Sequence, residues 1–212
     1  MKKITGFFAM CMVGVFAFVG CTSAPKVTDK SGPSEIIEHK GSAFGVEQPD
    51  WVKAVIGTSN QKAICKSLGI DKHVWVVTKR GENLDFISNW ADQVEARAEI
   101  SASIKQGISD FVGAHLAGDD NDVEQTVERY SARASAITVS GLSKEADWWF
   151  YGISERDKKA GLEPKYTYLV VYSLDEDLYQ KQIKKAFAGE DDKVVDDLIH
   201  YLMNYTMVLG KD

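Results

Sequence analysis

Tyr166-Thr167-Tyr168-Leu169-Val170-Val171-Tyr172 is aromatic or β-branched at every position but Leu169, the composition of a strand. With side chains alternating, Tyr166, Tyr168, Val170 and Tyr172 share one face, and Thr167, Leu169 and Val171 the other. Both faces are largely apolar, which predicts a strand at the centre of a sheet. Gly161 to Pro164 separate it from a second aromatic strand, Trp148 to Ile153, and Ala136 to Ser140 alternates as a third. Downstream, Ser173 or Asp175 caps a helix carrying Leu178, Ile183 and Phe187, which Gly189 ends. A final helix spans Asp191 to Val208, with Val194, Val195, Leu198, Ile199, Leu202 and Met203 inward.

Upstream, apolar residues recur at helical spacing from Leu84 to Leu116: Ile87, Trp90, Ala91, Val94, Ala98, Ile104, Ile108, Phe111, Val112 and His115. Gly107 and Gly113 interrupt this helix at a cost of about 1 kcal/mol each against alanine. Asp119-Asp120-Asn121-Asp122 reads as a turn before a second helix, Val123 to Ala134, capped by Asn121 or Asp122. Val74 to Thr78 reads as a strand and Gln61 to Leu68 as a short helix burying Ala63, Ile64 and Leu68. Trp51, Val52, Ala54, Val55 and Ile56 open the domain with an apolar patch. The sum is an α+β fold: a small, mainly antiparallel sheet packed against one long helix, with additional C-terminal helices.

The N-terminus reads differently. Lys2 and Lys3 precede an almost unbroken apolar run from Phe7 to Val19, and Gly20, Cys21, Thr22 and Ser23 follow. Charged, apolar and small segments in that order form a secretory signal, too short for a comfortable span of about 20 apolar residues. Phe18-Val19-Gly20-Cys21 resembles a bacterial lipobox, in which the chain is cut before the cysteine and the cysteine is acylated. The expectation is a signal peptide over 1–20, a flexible tether over 21–46 and a single domain over 47–212. Pro25, Gly32, Pro33 and Gly41 with few large apolar residues mark the tether, whose typical span is roughly 25–30 Å.

Lys2 and Lys3 leave with the signal, so 23 of the 25 basic side chains face all 31 acidic ones and the mature charge is −8. Such a chain is a poor partner for a phosphate backbone, and nucleic acid is excluded as a ligand class. Cys11 leaves with the signal and Cys21 carries lipid. Only Cys65 of the three cysteines remains, so no intrachain disulfide forms.

Pro49-Asp50-Trp51-Val52, Glu95-Ala96-Arg97-Ala98-Glu99-Ile100 and the aromatic strand leading into a helix, Tyr166 through Phe187, stand in the order found in one family. Together they resemble the LPP-twenty type of bacterial lipoprotein, which includes small outer-membrane and flagellar-assembly lipoproteins. The resemblance covers residues 48 to 188. It implies an assembly role and brings no catalytic residue.

Other chemistry is sparse. Cys65 and His73 lie eight residues apart with no group to orient the imidazole. His39, His115 and His200 show no metal-ligand spacing. Asp119 to Glu124 lacks the glycine and distal glutamate of an EF-hand loop. Glu190, Asp191 and Asp192 suit a helix N-terminus. Cofactors, metals and catalytic residues are therefore expected to be none. Trp148-Trp149-Phe150-Tyr151 points aromatics to both faces of a strand: either helices cover both, which is the preferred reading, or one face packs and the other is left as an interaction surface or for sugar stacking. The expected function is a non-enzymatic lipoprotein anchored through Cys21 in the outer membrane, with homo-oligomeric or envelope protein partners. The alternative is a module binding a small hydrophobic or glycan ligand.

Overall fold

The computed structural model describes residues 35–57, 60–92, 94–116, 120–205 and the backbone of 208–209. The signal segment, Cys21 and the first part of the tether lie outside the described residues. Five strands form one sheet: β1 (Glu35–His39), β2 (His73–Gly81), β3 (Ser143–Ile153), β4 (Lys165–Leu174) and β5 (Val208–Leu209), in spatial order β1-β3-β4-β2-β5. The first four pair antiparallel and β5 adds to β2 in parallel. Eight α-helices are present among the described residues: α1 (Asp50–Gly57), α2 (Gln61–Leu68), α3 (Leu84–Asp92), α4 (Val94–His115), α5 (Asp120–Ala134), α6 (Glu155–Lys159), α7 (Glu176–Ala186) and α8 (Asp192–Asn204). None of them is long and apolar enough to cross a membrane.

The central position of β4 follows from its two apolar faces. Tyr168, Val170, Tyr172 and Leu174 join Trp75 and Val77 under the larger helical layer, drawn from α3, α4, α5, α7 and α8. Leu169 and Val171 join Val74, Val76, Trp148 and Phe150 beneath α1 and α2, which contribute Trp51, Val52, Val55 and Ile64. Leu169, Val170 and Val171 are almost wholly buried, worth about 1.5–3 kcal/mol each.

Short polar residues set the helix ends. Asn60 accepts from the Ala63 amide at 3.3 Å and Gly69, at φ 67°, closes α2. Asp175 accepts from Leu178 N at 2.9 Å, and Asp191 accepts from Lys193 N and Val194 N at 3.0 and 3.2 Å. These caps satisfy amides that no helical carbonyl reaches.

The structure corrects several expectations. Residues 35–39, assigned to the tether, form the edge strand β1, and a 3-10 turn at Ser42–Phe44 follows. Ile36 packs into the α1 and α2 side of the core and His39 stacks on Trp148, so the folded domain reaches back to Glu35. The apolar patch after Pro49 is helix α1. The long helix is α4, and α3, which the periodicity over residues 84–116 joined to it, buries a face out of phase with it. Ile87 and Ala91 extrapolate at helical spacing to position 98, yet Ala98 is exposed while Ala96 and Ile100 are buried. His115 is exposed as well.

Ala136–Ser140 is not a strand. The chain turns as it leaves α5, with Ala136 N donating to Arg133 O and Ile137 N to Ala134 O. Both neighbours of β3 are already taken, by β1 and β4. Ile137 and Val139 instead bury their side chains in the larger core, Val139 at φ 43°. On α7, Tyr179 takes the inward place expected of Leu178, which is 37% exposed. The last helix stops at Asn204, and Val208 belongs to β5.

Candidate functional site

Cys21, the expected lipidation residue, lies outside the described residues. The other candidates can be placed. Cys65, on α2, is half-buried, and its thiol donates to the Lys72 carbonyl at 3.4 Å. Burial, helped by the carboxylates of Glu176 and Asp71, pushes that thiol up, away from the thiolate a nucleophile needs. His73 is 1% exposed on the opposite face of the sheet, against Trp75 and Tyr179 at 4.4 and 4.9 Å between ring centroids. Burial lowers its pKa to about 4.

Gln61 fixes the imidazole. With its amide oriented to satisfy every neighbour, the carbonyl accepts from His73 Nδ1 at 2.9 Å and Val74 N at 3.2 Å, and the nitrogen donates to Met203 O at 3.3 Å. The thiol and the imidazole therefore belong to different cores and serve separate structural contacts. A groove of about 790 Å³ runs past Cys65 between α2, α7 and α8, lined also by Asp71, Glu176, Gln180, Asp196 and His200. Among the described residues no three His, Cys, Asp or Glu side chains are placed to hold a metal. His115 packs against Phe111 and Tyr201. The acidic stretch from Asp120 onward starts α5 rather than forming a loop. Glu190 receives Arg133 at 3.0 Å, Arg129 at 3.6 Å and the Tyr130 hydroxyl at 3.2 Å, which ties α5 to the turn before α8.

The aromatic strand divides as its alternation requires. Trp148 and Phe150 are buried beneath α1 and α2. Trp149 and Tyr151 point the other way, beside Tyr168 and Tyr166 across the β3–β4 ladder. On that face α3 packs over β4 and β2 rather than over β3. Trp149, Tyr151 and Tyr166 are half-buried, and Tyr166 meets both other rings, with centroids 4.8 Å apart for Tyr151–Tyr166 and 5.9 Å for Trp149–Tyr166.

One end of this aromatic row meets four charges. Lys144 contacts Asp92 at 2.7 Å and Asp147 at 3.1 Å, and Asp147 also pairs with Lys40. The Lys144 ammonium lies 3.4 Å from the Tyr168 hydroxyl and 5.9 Å from its ring. Burial works against both charges of this cluster, but the bonds outweigh it. Asp92, Asp147 and Tyr168 raise the Lys144 pKa, and Lys40 and Lys144 hold Asp147 below its ordinary value. Burial and the two carboxylates push Tyr168 up to about 12. At neutral pH Lys144 is therefore an ammonium and Asp147 a carboxylate.

This cluster was not read from the sequence. Its one linear trace is the order Lys144, Asp147, Trp149, Tyr151, in which a bulge between Lys144 and Ala146 breaks the alternation. The bulge region also sends Glu145 to Lys72 at 2.8 Å and to the Ser173 hydroxyl. Comparison with protein-family models, curated proteins and solved structures finds no match to this chain.

Proposed function

We propose that the chain is a lipid-anchored lipoprotein of the cell envelope, held in the outer membrane through Cys21. It works without catalysis, through contacts of its folded domain with envelope proteins or further copies of itself. The observation that carries this reading is the order Lys2-Lys3, apolar run, Gly20-Cys21, followed by a polar segment before the domain. The fate of the reactive side chains supports the non-catalytic part: Cys65 and His73 are held apart in structural contacts.

Fatty-acid labelling in living cells tests the anchor. The wild-type protein takes up label and fractionates with membranes, whereas Cys21→Ala does neither; label retained by Cys21→Ala refutes the reading. Crosslinking in cells followed by purification tests the assembly role. A ladder of self-adducts or recovery of envelope components supports it, and a lone monomer speaks against it.

A further inference from the structure

Six large apolar side chains are exposed among the described residues, and three of them fall within ten residues: Ile37, Phe44 and Val46, at 55, 84 and 52%. Single exposures scattered over a surface need no explanation, but Phe44 and Val46 share one short turn. Its backbone is closed on itself. Phe44 N and Val46 N donate to Gly41 O at 3.1 and 3.0 Å, and Gly45 N donates to Ser42 O at 3.3 Å. Gly45 sits at φ 64°, and a Cβ on Gly41 would lie 2.5 Å from Val46 O, so both glycines are required. The turn therefore holds a phenyl ring out in water by its own hydrogen bonds.

Gly41-Ser42-Ala43-Phe44-Gly45-Val46 carries no charge. A tip without charge loses no ionic hydration on entering an apolar medium. The amides of Phe44, Gly45 and Val46 keep their partners there, which lipid demands because acyl chains offer no acceptor. The position of the turn names the medium. It begins six residues after the fold starts at Glu35, and fourteen residues, 21–34, join Glu35 to the anchored cysteine. Fully extended, they span at most about 50 Å, so the bilayer is presented to this turn at high effective concentration.

We propose that the turn over residues 41–46 inserts Phe44 and Val46 into the lipid surface that holds the anchor, and so orients the domain on it. The proposal rests on the acylation of Cys21 proposed above. Glu47, exposed and next along the chain, stops the insertion at the headgroup boundary. The contact is apolar and needs no anionic lipid.

The test couples the mature chain, carrying Cys65→Ser, through its Cys21 thiol to a maleimide lipid in phosphatidylcholine vesicles. The photo-crosslinking residue p-benzoylphenylalanine replaces Ala43 in the turn or, as a control, Phe86. Phe86 is an equally exposed aromatic on α3, which packs over β2 and β4 rather than beside β1. Mass spectrometry identifies the adducts. Lipid adducts form at position 43 and not at 86. Phe44→Ser lowers them at least roughly fivefold, Phe44→Leu retains most of them, and unchanged thermal melting verifies that both variants fold. Equal lipid adducts at 43 and 86, none at 43, or indifference to Phe44→Ser overturns the proposal. So does an adduct at 43 only to a second copy of the chain, which makes the turn a protein contact. Because the lipid is attached chemically, failure of acylation in cells is read separately, from the Cys21→Ala label, and leaves the vesicle result standing.

Discussion

His73 holds fewer protons in the folded chain than in the unfolded one, because burial lowers its pKa from 6.5 to about 4. A histidine neutral in the fold and protonated in the unfolded chain makes stability fall as pH drops from about 6.5 toward 4, and leaves it unchanged above that window. The full loss is about 3 kcal/mol. Glu145 and Asp147 also have lowered values, Glu145 through Lys72 and Ser173 and Asp147 through its lysines against its burial. Their contribution is present above their ordinary values and is lost only as pH falls below them, so urea unfolding at pH 7.5, 6 and 5 isolates the histidine. His73→Phe is expected to flatten that slope; a flat wild-type profile sinks the assignment. Val139 provides a second test at this scale. A buried β-branched residue at φ 43° is strained, so glycine there should exceed alanine in stability by up to about 1 kcal/mol, the relief of about 1–2 kcal/mol being reduced by the one further buried carbon that glycine gives up. Alanine the equal of glycine in chemical denaturation would show that no strain is stored.

Among the elements, α4 carries two glycines with opposite expectations. A Cβ on Gly107 would lie 2.9 Å from Leu202 Cδ2 and 3.0 Å from the Tyr205 ring, where α8 crosses, while one on Gly113 meets nothing within 4 Å. Gly113→Ala should therefore gain about 0.5–1 kcal/mol from helix propensity, and Gly107→Ala should lose stability, since Leu202 is buried and has little room to yield. Thermal melts of the two variants settle the contrast, and a gain at both would place α8 farther from α4. This scale also shows what the linear chain discloses. The two faces of β4, the cap at Asp175 as one of two candidates with Ser173, and the acidic N-terminus of the last helix are legible because alternation and capping are local. The change of phase between α3 and α4 is not, since Ala96 and Ala98 are chemically identical and only packing against neighbouring helices tells them apart. The segment 136–140 has strand-forming residues, yet β1 and β4 take both sides of β3, and Ile137 and Val139 turn into the larger core instead.

For the molecule as a whole, β1 decides where the domain begins. Glu35 pairs with Lys158 at 3.0 Å, and the strand lies along β3 with Ile36 inward. A chain starting at Glu35 should melt with one starting at Cys21, and one starting at Gly41 several degrees lower, having stripped the edge that covers Trp148. Coincident melts for all three would return residues 35–40 to the tether. The aromatic strand divides along the same line: the sequence announces rings on two faces of β3, but that Trp148 and Phe150 are buried while Trp149 and Tyr151 are half-buried depends on where the helices lie.

The strand order carries one more consequence, for a chain delivered across a membrane N-terminus first. β1 is the first strand to emerge, but its partner β3 ends at Ile153, more than a hundred residues behind it. β2 likewise waits for β4, and β5 closes beside β2 only when Val208–Leu209 arrive. Among the described residues, the only antiparallel neighbours joined by a short connection are β3 and β4, linked through α6. Productive folding during translocation would then start late, at that hairpin, and spread backward to strands that had waited unpaired, as loop-closure entropy requires.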